Sequence, residues 1–367
     1  MKKLFTLFLL IPLFFACKTE GPVDPDEPVD DFNRQSMLAI WADQIIIPYF
    51  QNFEAEMIEL QGQTTTFQSD PSSENLADLR QSWLDAYMAW QRISMFETGK
   101  AEEIGFRNAM NIYPINAVDI EENITNGGYN LELPSNLDAQ GLPAVDYLLY
   151  GIGENEEEIL SKFANPAYTT YLVDVINRMV ALTATVVDDW EGGYRDVFVQ
   201  NSGNSATASV DKMTNDYIFY YEKFLRAGKI GIPAGVFSGN LLPDRVEGFY
   251  SKVYSKMLFM EGLDAAQDFF NGVYADGSDS GQSLRSYLDY LNTIKDGEDL
   301  STLINNQFDA ARAQGALLND NFALQIEQDN TAMLSTYDQL QMNVVLIKVD
   351  MLQALNVNVD FVDADGD

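Results

Sequence analysis

The chain holds 56 Asp and Glu against 22 Lys and Arg, and no histidine. Any chemistry it performs therefore runs through oxygen. Ser-His-Asp and Cys-His catalysis are excluded, as is every zinc site that needs an imidazole. A metal would have to be held by Asp, Glu, Tyr, carbonyls and water. That donor set suits calcium, magnesium, manganese or ferric iron. The acids worth attention stand in four strings: Glu97 in "SWLDAYMAWQRISMFETG", Asp119 in "NIYPINAVDIEENI", Asp146 in "GLPAVDYLLYG" and Glu247 in "RVEGFYSKVYSKM". If they converge, they form a metal or ligand site, with Arg107 and Tyr150 placed to neutralise or orient the cluster. A metal-independent alternative is an interaction module for a polysaccharide, peptide or partner protein, with Trp90, Tyr147 and Tyr150 as contacts.

Asp146 also has a plain structural reading. Pro143 suits the first turn of a helix, where its missing N–H costs nothing. An acid in that turn meets the positive end of the helix dipole, worth ~0.3–1 kcal/mol. Val145, Leu148 and Leu149 supply a buried face. Other motifs fail. "DGSDSGQS" starts like a calcium loop, but its twelfth position is Tyr287 instead of a bidentate acid. The glycine-rich Gly228–Pro243 stretch lacks the Gly-Lys-Ser/Thr order of a phosphate loop, and there is no G-x-S-x-G elbow.

The elements that must position these residues read as helices. "WADQIIIPYFQNFEAEMIEL" places Trp41, Ile45, Tyr49, Phe53, Met57 and Leu60 on one side, with a kink expected at Pro48. "NLADLRQSWLDAYMAWQRISMF" does so with Leu76, Leu79, Trp83, Tyr87 and Trp90, and similar stripes run through 171–190, 208–225, 245–260 and 333–355. Such stripes are core. Only "YNLELP" (129–134) and "NVDFVD" (358–363) alternate like strands. The fold class is all-α. We expect two associated helical bundles, 33–190 and 191–367, with long irregular connections at 99–141 and 228–243.

The N-terminus is a leader. Lys2 and Lys3 precede "LFTLFLLIPLFF", too short to span a bilayer as a mature helix, and then Ala16 and Cys17. This is the pattern of a lipoprotein signal at 1–16, with Cys17, the only cysteine, carrying lipid and anchoring the chain to a membrane. Residues 17–32, rich in proline and acid, read as an extended tether. No other stretch reads as apolar and long enough to cross a bilayer. An outer-membrane lipoprotein, facing the periplasm or the outside, is the expected location. A net charge of −34 repels phosphate backbones, so nucleic acid is not an expected partner.

Taken in order, and followed by the terminal Asp-Gly-Asp behind a lipoprotein signal, the four strings resemble the imelysin family of bacterial envelope proteins from about Asp31 to Asp367. The resemblance implies paired helical bundles with a site near their junction. It also implies a link to iron uptake, with iron-uptake proteins as partners, and a peptidase-type Gly-x-His-x-x-Glu motif. That motif falls at Gly141 to Asp146. Gly141 matches, but Pro143 stands at the histidine and Asp146 at the glutamate. No catalytic residue carries over. The expected function is a non-enzymatic metal- or ligand-binding component of iron uptake; a metallopeptidase would lack its imidazole ligands.

Overall fold

Helical periodicity governs the chain from Arg34 onward. The structure, a computed structural model, describes residues 30–359. The signal at 1–16, Cys17, nearly all of the tether, most of the 358–363 strand candidate and the terminal Asp-Gly-Asp lie outside the described residues. From Asn33 onward the described residues form one compact unit. Its helices are α1 (34–69), α2 (Ser73–Ile93), α3 (Lys100–Ile104), α4 (Phe106–Met110), α5 (Ala117–Asn126), α6 (141–151), α7 (Glu156–Phe163), α8 (Pro166–Gln200), α9 (209–231), α10 (Ser255–Asn271), α11 (Leu284–Tyr290), α12 (Leu300–Gly315) and α13 (322–355).

The aromatic stripes are the core. Trp41, Phe53, Met57 and Leu60 of α1 and Leu76, Leu79, Trp83, Tyr87 and Trp90 of α2 are all buried. One group of helices is built from α1, α2 and α8; a second packs α9, α10, α12 and α13; α2 against α10 joins them. By length and composition α8 can cross a membrane, which the reading of the sequence had denied to every segment outside the leader. Its apolar side is a core face instead: Tyr171, Leu172, Val175, Ile176 and Met179 are buried against α1 and its neighbours.

Several long helices contain π-helical turns, including Trp41–Ile46, Tyr147–Gly151, Tyr220–Gly231 and Val345–Met351. The first ends just before Pro48, where the sequence predicts a kink. Proline has no N–H to offer the carbonyl four residues back. That carbonyl, on Gln44, accepts from the Ala275 backbone N–H at 2.8 Å. The proline thereby frees an acceptor that docks the 273–277 loop.

The β expectations need correction. Residues 129–134 form a turn, because the Asn130 side chain accepts the Glu132 N–H at 2.9 Å, a local bond that competes with a strand ladder. The one two-stranded ribbon among the described residues pairs Ile294–Lys295 with Glu298–Asp299. The 228–243 connection is also less irregular than expected, since α9 runs through Gly231 before it breaks.

Candidate functional site

Asp146 does not sit in a first turn beside a helix dipole. Helix α6 starts at Gly141 in a left-handed conformation (φ +84°), so near the Met110 carbonyl that a Cβ would lie 2.4 Å from its oxygen. Only glycine fits there. Pro143 does lie near the start of α6 and is buried, as are Val145, Leu148 and Leu149. Trp83 Nε1 donates to the Leu142 carbonyl at 3.0 Å, fixing α6 on α2. Asp146 comes a turn later and points inward. Its Oδ2 accepts from the Tyr250 N–H at 2.9 Å and its Oδ1 from the Ser251 N–H at 3.0 Å. The carboxylate is a clasp for the 246–251 loop. Burial raises its pKa to about 7, against the pull of those two backbone donors, and nearby Glu247 pushes it the same way as burial.

Glu247 stands beside it in one buried polar network. Its carboxylate accepts from Lys229 Nζ, from Asn111 Nδ2 at 2.8 Å and from Gln91 Nε2 at 3.2 Å. Lys229 Nζ also donates to Gln91 Oε1 at 2.9 Å, and Tyr87 Oη donates to Asn111 Oδ1 at 2.6 Å. Burial pulls the Lys229 pKa down while Glu247 holds it up. Tyr87 is pushed well above the usual phenol range by burial and then by Glu247. The network joins α2, α4, α9 and the loop before α10, and so spans both helix groups.

Glu97 belongs to a second cluster. Both its oxygens accept from the Arg107 backbone N–H, at 3.1 and 3.0 Å. The Arg107 guanidinium is buried rather than on the surface. It donates to the Ser94 carbonyl at 2.7 Å and to Asp216 Oδ1 at 2.9 Å, and lies over the Phe224 ring at 4.9 Å. The Glu97 N–H donates to Asp216 Oδ2 at 2.5 Å. A small pocket of about 150 Å³, bordered by Glu97, Glu102, Lys212 and Asp216, opens here. Burial raises Glu97 to about 7; Arg107 opposes this and Asp216 adds to it.

Asp119 stands apart, in the first turn of α5, where Asn116 Nδ2 donates to it at 2.8 Å. The structure thus brings Asp146 and Glu247 together, places Glu97 in a neighbouring cluster and leaves Asp119 outside. Among the described residues no three acids gather as metal ligands. At the motif position a metal does not fit: both oxygens of Asp146 hold backbone N–H groups and Glu247 is matched by Lys229.

Of the aromatic candidates, Trp90 is core, packed on Phe53 and Phe106. Tyr150 lies under the Arg80 guanidinium at 4.5 Å. Tyr147 packs on Tyr250 and donates to Glu121. Gln91, Asn111, Lys229 and Asp216 were not singled out from the sequence. Lys229 carried a signal: in a chain poor in lysine it falls on the same helical face as Leu225 and Arg226, where a cation needs a partner. A cleft of about 770 Å³ also opens between α1, α2, α10 and the 273–277 loop, with Tyr49, Arg92, Glu261 and Asp268 in its wall. Arg92 is paired there with both acids.

Two groups of helices closed over a buried polar seam define an all-α protein. The family model described as Imelysin matches residues 46–346, and the chain belongs to the imelysin family. It is 28% identical over 103 residues to Iron-regulated protein A of Synechococcus elongatus, a match covering 28% of this chain and 26% of that protein. The matched stretch is therefore about a quarter of that relative's length. Two solved structures share the fold. An imelysin-like protein from Psychrobacter arcticum 273-4 aligns with a TM-score of 0.71 at 16% identity, over 90% of this chain and 97% of that one. A Parabacteroides distasonis protein described as an iron-regulated protein A precursor gives 0.71 at 17% identity, over 89% and 96%.

Proposed function

We propose that this protein is an exported lipoprotein of the cell envelope, held by lipid on Cys17, that binds a ligand in iron handling and performs no hydrolysis. One observation carries the non-enzymatic part. The motif carboxylate, Asp146, spends both oxygens on backbone N–H groups of the 246–251 loop, and proline occupies the position of the motif histidine. A general base needs a free lone pair within reach of the proton it takes, and this carboxylate is a fastener. The iron part and the envelope location are supported by the relatives' names, iron-regulated protein A and its precursor form, and by the leader-like sequence at 1–16 ahead of Cys17. The acidic surface favours cations and disfavours nucleic acid as a partner.

The test pairs equilibrium dialysis against ferric, ferrous, calcium and manganese ions with a metal-supplemented peptide-library digest. Iron retained at sub-millimolar affinity, with no cleavage, is the expected result. Cleavage that depends on metal and disappears in Asp146→Asn would overturn the non-enzymatic reading. Absence of any iron retention would overturn the direct binding of iron.

A further inference from the structure

One group of oxygen donors lies outside the seam. On α5, Glu121 presents both carboxylate oxygens to phenols from two other elements. Tyr147 Oη donates to Oε1 at 2.7 Å and Tyr168 Oη donates to Oε2 at 2.5 Å. The two rings are held in place: Tyr147 is 8% exposed and packs on Tyr250 at 4.9 Å, while Tyr168 is 7% exposed and packs on Phe163. Lys162 Nζ lies 3.4 Å from Tyr168 Oη. Glu121 and Tyr147 line a surface groove of about 700 Å³ that also presents Glu122 and Thr125. Four oxygens from three side chains thus meet beside an open groove, with Glu121 and Tyr147 in its wall and Tyr168 bonded behind them.

We propose that Glu121, Tyr147 and Tyr168 form a ferric-iron site in which one carboxylate and two phenolates coordinate the ion. Hard, highly charged cations select oxygen donors, and three anionic oxygens match the charge of Fe³⁺. Binding moves no electrons. Iron enters as Fe³⁺ and stays Fe³⁺, and the two phenol protons leave to solvent as the hydrogen bonds to Glu121 give way to bonds to the metal, as ligand deprotonation requires. Three anionic ligands attract a trivalent ion more strongly than a divalent one such as calcium, so the site discriminates by charge. The groove leaves room for water or a carrier's donor groups to complete the coordination shell. This site rests on the iron reading above and gives it a location that the altered motif does not offer.

The experiment is a titration of the purified protein with ferric citrate, followed by visible absorption and, in parallel, by counting retained iron. A phenolate-to-iron charge-transfer band is expected, with tyrosinate modes in its resonance Raman spectrum. Tyr147→Phe and Tyr168→Phe should each weaken ferric binding by more than the ~10–100-fold typical of losing an outer-sphere partner. Tyr129→Phe, which removes a phenol bonded to Asp174 instead, should leave band and affinity unchanged. Iron retained without a charge-transfer band, or a band that survives both substitutions, overturns the site while leaving iron binding intact. No iron retained overturns both. The Raman measurement on the unaltered protein keeps the question decidable should a variant fold poorly.

Discussion

Replacing Glu97 with glutamine should stabilise the protein in alkaline solution and leave it unchanged in acid. Around Arg107 there are two carboxylates, Glu97 and Asp216, for one guanidinium. Asp216 takes the side-chain ion pair, so ionised Glu97 is surplus charge in a largely buried place. Its carboxyl is held at about 7 against an ordinary value of 4.5. The folded state therefore binds this proton more tightly than the unfolded chain. The resulting stability is fully present below about pH 4.5 and is lost as pH rises through about 7. That displacement corresponds to about 1–3 kcal/mol once solvent at the pocket mouth is allowed for. Glutamine keeps an oxygen for the Arg107 N–H and never ionises. In urea unfolding, Glu97→Gln should match the wild type near pH 4.5 and exceed it by that amount at pH 8. Parallel curves for the two proteins across this range, or a weaker variant at pH 8, would refute the account of the cluster.

Further outcomes follow from the seam and the freed carbonyl. Lys229→Met should cost about 3–5 kcal/mol by stranding the Glu247 charge, and Lys229→Met with Glu247→Gln should recover most of it; urea midpoints of the two variants decide. Asp146→Ala should cost about 2–5 kcal/mol by orphaning two buried N–H groups and leaving a void, with new protease sensitivity in residues 246–251. Asp146→Asn should cost about 1–3 kcal/mol, less than Asp146→Ala, because its amide oxygen keeps one of the two backbone N–H groups while its NH2 orphans the other. Pro48→Ala restores an N–H that competes for the Gln44 carbonyl. Hydrogen exchange at Ala275 should quicken by about tenfold, the equivalent of one ordinary hydrogen bond.

The helices were legible because a 3.6-residue period leaves its mark on composition: Leu76, Leu79, Trp83, Tyr87 and Trp90 announce a buried face and occupy one. The pairing of Asp146 with the "RVEGFYSKVYSKM" string was partly legible too, since both were singled out as site strings. What could not be read was the kind of bond between them. Asp146 meets backbone N–H groups 104 and 105 residues away, and a backbone donor has no residue type to betray it. The same holds for Gln44, whose partner is the Ala275 N–H; Pro48 signalled a disturbed helix but not the loop that exploits it. Spacing within a helix also hides function when successive residues face different neighbours. Asp146 and Tyr147 are adjacent in sequence, yet a helical step turns each residue about 100° from the last. One therefore reaches the 246–251 loop and the other reaches Glu121 on α5. A motif read as a line of letters treats them as one site. The fold separates them, giving the altered motif acid a fastening role and leaving its aromatic neighbour at the wall of the groove.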